Sequence, residues 1–227
     1  MNHNKINLIH LIENIGNYAV PQFESQRGFI WNVADIEGLG DSIIRGIPIS
    51  EIVTMPFSNR SLNIDYNRLE VKSTDEELAI HSYVVSGQQR ITSIAKIFLP
   101  QDNGNIYHID LMGILMSCVL SGGYYDPMRG SLCKSFNCKN DDPRFVLASD
   151  VLSNNFLPKI DVFLNSLIER ESATSEEVDR YYDILVNILN SVADYSISHT
   201  TISPNANIYD VEIMYKKINS TSYQVSS

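Results

Sequence analysis

Tyr83-Val84-Val85-Ser86-Gly87-Gln88-Gln89-Arg90 is the stretch from which the rest of this chain is read. Tyr83, Val84 and Val85 are aromatic or β-branched, the types that suit a strand. Ser86 and Gly87 allow a tight turn. Beyond it Ile91, Ile94, Ala95 and Phe98 recur at helical spacing and predict a helix with one apolar face. Pro100 stops it. Gln88, Gln89 and Arg90 then fall in the first helical turn, where unpaired backbone N–H groups and the positive end of the dipole favour an anion. Arg90 adds a forked donor suited to phosphate. These residues point to a phosphate or nucleotide site. Junctions of this kind also occur without a ligand, and Ser86 is itself a candidate N-cap. Two glutamines and an arginine are nonetheless not the usual capping choice, which is Ser or Asp followed by Glu.

Outward from this stretch, Leu8, Ile9, Leu11, Ile12 and Ile15 mark a short helix over Ile6 to Ile15 that ends at Gly16. Tyr18 to Phe23 is extended, fixed by Pro21. Asn32 is the expected N-cap of a helix running through Val33, Ile36, Leu39, Ile43 and Ile44 to Gly46. A short strand follows near Ile49 to Val53. Pro56 to Glu77 is polar and irregular, a hairpin or loop. Ile106 to Leu111 is an expected strand. Ser121 to Asp142, with Arg144 just beyond, carries Arg129, Lys134 and Lys139, the densest basic stretch, which reads as a solvated loop or as a DNA-backbone contact. Asp150 to Glu171 and Ser175 to Ala193 are expected helices, the second with Glu176 and Glu177 in its first turn, as suits an N-terminus. Tyr195 to Ile202 alternates like a strand, and Asp210 to Ile218 is a short helix. Strands alternating with helices of this length predict an α/β (α+β) chain, one domain over 1–227 with a small mixed sheet flanked by helices.

The chain has 227 residues, enough for one good core or at most two small ones. Its net charge of −10 argues against a protein that coats DNA by bulk electrostatics, so any nucleic-acid contact needs a local basic patch. The three cysteines, Cys118, Cys133 and Cys138, form no CxxC pair and read as reduced thiols. The N-terminus lacks a basic segment followed by an apolar run, so no signal peptide is expected. The most apolar stretch, Ile109 to Leu120, is too short to span a bilayer. The expectation is a cytoplasmic protein with no membrane partner.

The stretch "YVVSGQQRITSI" resembles the DGQQR motif of the GmrSD-type restriction endonuclease N-terminal family, with Ser86 where that family usually has aspartate. A second part of the resemblance lies upstream, in Val20, Pro21, Phe23, Gln26, Arg27, Phe29 and Trp31, then Ser42, Ile43, Gly46, Pro48 and Ile49. Two extra residues stand between Phe23 and Gln26. Near the C-terminus Tyr215, Ile218, Asn219 and Ser226 resemble a third family segment, whose glycine is not cleanly matched.

The resemblance implies a ParB/sulfiredoxin-like core and a place in prokaryotic anti-phage defence, as a domain linked to nucleotide binding or hydrolysis and to sensing modified DNA. Its nuclease part is not found in this chain, so a nuclease subunit is an expected partner, beside DNA and a further copy of the chain. Carried over residue by residue, the nucleotide- or phosphate-binding set is Ser86, Gly87, Gln88, Gln89, Arg90 and Arg27. Gln88, Gln89 and Arg90 are the catalytic candidates if the chain is a hydrolase. Gln26, Arg27, Trp31, Arg129 and Lys134 are the DNA-contact candidates. The implied cofactors are a nucleoside triphosphate and Mg²⁺. No protein metal site is expected. Serine at position 86 offers only a neutral hydroxyl where Mg²⁺ prefers charged oxygen, so binding is expected to survive better than hydrolysis. Asp35, Asp41 and Asp65 are the carboxylates considered as substitutes, Asp41 foremost. A non-catalytic binding module on the same fold is the alternative. A sulfiredoxin-type phosphotransfer enzyme is set aside, because no cysteine lies near Arg90 in sequence.

Overall fold

A computed structural model describes residues 1–22, 28–57, 65–69, 79–100, 104–119, 131–137, 141–203, 205–206 and 208–221. The chain groups into two compact units. The first comprises Met1–Trp31, Ile49–Ala95 and Ser196–Ser227, and the second Asn32–Pro48 and Lys96–Tyr195. The sequence reading treated 1–227 as one domain with one sheet. The described residues hold two sheets, one in each unit.

The first unit is built on a mixed six-stranded sheet. Its strands are β1 (Asn2–Asn7), β2 (Tyr18–Pro21), β3 (Ile52–Pro56), β4 (Tyr66–Arg68), β5 (Ser82–Ser86) and β9 (Ser196–Thr201), in the order β1-β9-β3-β5-β2-β4. The β2–β5 and β3–β9 pairs are parallel and the others antiparallel. Strand β5 lies inside the sheet, and Tyr83, Val84 and Val85 are each 1% exposed. That is why its sequence is a continuous apolar run rather than an alternation: both faces are covered. Tyr83 and Val85 share one face by the two-residue period. They join Ala19, Val53, Met55 and Ile202, and Val211 of helix α8 (Ile208–Thr221) seals that cluster. Full burial of each such aliphatic side chain contributes about 1.5–3 kcal/mol.

Helix α1 (Leu8–Glu13) starts two residues later than the sequence reading placed it. Asn7 caps it by accepting the Ile9 N–H at 2.8 Å. Residues Asn2–Asn7 form edge strand β1 instead, a polar stretch in which only Ile6 is buried. Helix α3 (Gln88–Phe98) follows β5, as its apolar spacing predicts.

The second unit combines helices α2 (Val33–Ile44), α4 (Leu111–Val119), α5 (Ala148–Leu152), α6 (Leu157–Glu169) and α7 (Ser175–Ala193) with a three-stranded antiparallel sheet. That sheet, in the order β7-β6-β8, is formed by β6 (Ile106–Asp110), β7 (Cys133–Phe136) and β8 (Phe145–Leu147). Helix α7 packs against α2, α4, α5 and α6, burying Leu185, Leu189, Val192 and Ala193. Gly40 of α2 sits against β7: a Cβ there would lie 2.5 Å from Cys133 Sγ. Burial first, and then the Glu37 and Asp41 carboxylates, push the Cys133 thiol up, so it stays protonated. The single helix expected over Asp150 to Glu171 is broken. Asn154 adopts φ 57°, a left-handed value that no helix continues through.

Candidate functional site

The junction of β5 and α3 has the strand–turn–helix form read from the sequence. Gly87 has φ +98°, a value L side chains rarely adopt. A Cβ there would also lie 3.2 Å from Arg90 Nη1 and 3.2 Å from Ile52 Cγ1. Glycine is thus required twice, by its dihedral and by the close approach of its neighbours. The Ile91 N–H donates to the Gly87 carbonyl at 2.9 Å, so Gly87 holds the cap position. Ser86 was the candidate N-cap, but it is the last residue of β5, buried and opposite Val53. By helix geometry the N–H groups of Gln89 and Arg90 find no acceptor within the helix, and the first turn holds no acidic side chain.

Arg90 is half-buried, and its Nη1 donates to the Glu51 carbonyl at 2.7 Å. Burial pulls the guanidinium below its ordinary value, and among the described residues no neighbouring carboxylate offsets that. A desolvated cation held by a backbone oxygen is of a kind that an anion can stabilise. Glu51 turns its own carboxylate elsewhere. Thr200 Oγ1 donates to Glu51 Oε1, so His3 Nδ1, 2.6 Å from Thr200 Oγ1, is the donor in that contact. Burial lowers the pKa of the neighbouring His199, with Glu51 opposing, and its Nε2 is hydrogen-bonded to Thr54 Oγ1 at 2.8 Å. Glu51, His3 and Thr200 were not singled out in the sequence. Only the register of β1, β9 and β3 gathers them, and no local pattern announces it.

Gln89 turns away from the turn. Its Oε1 accepts the Ile30 N–H at 2.9 Å and the Trp31 N–H at 3.3 Å, and its Nε2 donates to the Gly28 carbonyl at 2.9 Å. Two sequence motifs nearly sixty residues apart are thereby joined. Gln88 is half-buried in the same turn.

Of the other candidates, Gln26, Arg27 and Arg129 lie outside the described residues. Lys134 belongs to the second unit. Its ammonium meets Asp110 at 2.8 Å and lies 5.6 Å from the centroid of the Phe145 ring. Arg144, from the same basic stretch, is bound to Asp142 at 2.7 Å, which holds that carboxylate below its ordinary value. Both charges are therefore already answered by acids. Asp41 accepts Arg45 Nε at 2.6 Å and the Leu132 N–H, and Asp35 closes the capping box with Asn32. These two of the three carboxylates suggested as substitutes for the motif aspartate are committed to local structure, and the third, Asp65, is exposed just before β4. Among the described residues no three His, Cys, Asp or Glu gather to hold a metal ion, and no helix is long and apolar enough to cross a membrane.

The family model described as GmrSD restriction endonuclease, N-terminal domain, matches residues 8–227, nearly the whole chain. The chain belongs to this family. Among curated proteins none matches it. Membership in GmrSD_N makes this a domain of the kind associated with restriction endonucleases, and it agrees with the family resemblance of the "SGQQR" stretch and of Pro21 to Trp31.

Proposed function

We propose that this chain is a nucleotide- and/or DNA-sensing domain of a prokaryotic restriction system, cytoplasmic, with a phosphate group held at the Ser86–Arg90 turn. One observation carries the reading. Among the described residues Arg90 is a half-buried cation with a carbonyl but no carboxylate for company, at a helix start that holds no acid. A phosphate there receives the first-turn N–H groups and the free face of the guanidinium, and it restores the charge balance that burial removed. Family membership supports DNA, modified or not, as the polymer sensed, with a nuclease subunit as its partner. The acidic total charge fits a local contact rather than a coating.

Hydrolysis is the weaker half of the proposal. Ser86 is buried and neutral, and Asp35 and Asp41 are engaged elsewhere. If Mg²⁺ takes part, it arrives on the phosphates of the nucleotide, because no cluster of protein ligands awaits it among the described residues. A non-catalytic binding module therefore fits this turn as well as an active hydrolase does.

Calorimetric titration with Mg-ATP and Mg-GTP tests the reading. Replacing Arg90 with alanine should weaken binding at least tenfold, about 1.4 kcal/mol. Unchanged affinity in a folded variant would sink it. Phosphate release measured beside the titration separates sensor from enzyme. Slow or absent turnover in the unmodified chain, with a gain in Ser86→Asp, marks a sensor on an enzyme's frame.

A further inference from the structure

We infer that Gln89 is a positioning residue that couples the anion-holding turn to the Gly28–Trp31 segment, an inference that rests on the anion reading of that turn. The carboxamide is used at both ends. Two N–H groups, of Ile30 and Trp31, converge on its oxygen, and one carbonyl, of Gly28, faces its nitrogen. The reversed orientation would set its NH₂ against two donors and its oxygen against a carbonyl, so the arrangement admits one assignment.

The segment needs such a partner. Gly28 to Asn32 lies outside any helix or strand, so its backbone groups have no ladder to satisfy them. Apolar packing does not hold it either at Ile30, which is 62% exposed. Gln89 stands beside Arg90 in the first turn of α3. Any shift of that turn around a bound phosphate is passed through three hydrogen bonds to the backbone of Gly28, Ile30 and Trp31, and a displacement of Trp31 is passed back by the same route. The Gln89 side chain thus touches the segment, not the phosphate, which is left to the backbone N–H that an alanine also carries. On this inference the side chain's catalytic role offered from the sequence gives way to a positioning one.

Trp31 is the only tryptophan of the chain, so its fluorescence reports on this segment alone. Without ligand, acrylamide quenching of Trp31 in Gln89→Ala should rise about twofold over the unmodified protein, as expected when local opening becomes easier. Unchanged quenching in a folded variant overturns the inference. Gln89→Glu gives a sharper test, and it serves if the alanine variant fails to fold. A protonated carboxyl has one acceptor and one donor, like the amide, whereas the carboxylate faces the Gly28 carbonyl with a charge. Quenching in Gln89→Glu should therefore be native-like near about pH 4 and rise towards pH 7 as the carboxyl ionises, while the unmodified protein shows no such rise. A flat profile for Gln89→Glu also overturns the inference.

With Mg-ATP, the unmodified protein should show a Trp31 signal that saturates with the calorimetric isotherm. Gln89→Ala should keep its calorimetric affinity within about threefold and lose most of that signal. Binding without a Trp31 response in the unmodified protein, or a full response in Gln89→Ala, rules the coupling out. If the unmodified protein binds no Mg-ATP, the anion reading of the turn falls, and the quenching arm decides the positioning role by itself.

Discussion

At the start of helix α7, Thr174 Oγ1 accepts the Glu177 N–H at 3.3 Å, and the Glu177 carboxylate accepts the Thr174 N–H at 2.8 Å. Helix α2 begins the same way, with Asn32 and Asp35 exchanging bonds of 3.0 and 2.9 Å. Each end is closed by its own side chains and carries an acid against the positive dipole. Helix α3 begins on Gly87, which has no side chain, and its first turn holds two glutamines and an arginine but no acid. The starts of α2 and α7 answer their own electrostatics; α3 has no acid in its first turn to do so, and neither has α6, which opens on Phe156 without a side-chain cap. On the reading proposed above, what α3 adds is the glycine turn and Arg90 on the Glu51 carbonyl, where an anion would meet the first-turn donors.

The largest expected effect comes from undoing the backbone that makes α3 different. Gly87→Ala should cost about 2 kcal/mol in urea unfolding, since a non-glycine residue in the left-handed region is strained by that order and its Cβ would crowd Arg90 and Ile52. Phosphate binding should fall with it. A variant within about 0.5 kcal/mol of the parent would show that the turn is not held as described.

Next, α3 can be made to resemble its counterparts. Gln88→Glu places a carboxylate in the first turn, where it should gain a few tenths of a kcal/mol from the dipole while weakening Mg-ATP binding about tenfold. Stronger binding would contradict the view that this end awaits an anion. The converse change is Thr174→Ala, which should cost about 1 kcal/mol and leave Mg-ATP affinity unaltered. A loss of affinity there would erase the distinction between the two kinds of helix start.

The smallest effect concerns the strand side of the turn, where Glu51 meets the pair of β3 and β9. Burial lowers the pKa of His199 in the folded state. The unfolded chain then binds the proton more readily, so the stabilising contribution is present above the ordinary histidine value of about 6.5 and is lost as pH falls through the lowered one. The urea midpoint should drop between about pH 7.5 and pH 5.5, and His199→Gln should flatten that drop. An equal slope in the variant would place the titration elsewhere.

What was legible in the sequence follows from how local each signal is. The β5–turn–α3 unit shows because three consecutive apolar residues, a glycine and a helical stripe are contiguous. The cap of α2 at Asn32 and the span of α7 show for the same reason. Edge strands do not. Asn2–Asn7 is buried only at Ile6, and Tyr66–Arg68 and Phe145–Leu147 have three residues each, too few for a period. The basic stretch was visible, but not the acids that answer it: Asp110 lies 24 residues from Lys134. Asp41 looked available because its partner Leu132 is 91 residues away.

By itself the sequence determined the chemistry of the turn: a glycine that can take a positive φ, a helix that starts without an acid, and an arginine in its first turn. These are properties of adjacent residues, and backbone sterics and helix geometry suffice to read them. Tertiary structure alone decided what each side chain is free to do. It set Arg90 on the Glu51 carbonyl rather than on a carboxylate, spent Asp41 on Arg45 and Leu132, and turned Gln89 to the backbone of Gly28, Ile30 and Trp31. The physical reason is that a polar group's role depends on which partner satisfies it, and here those partners come from strands and segments far away in the chain.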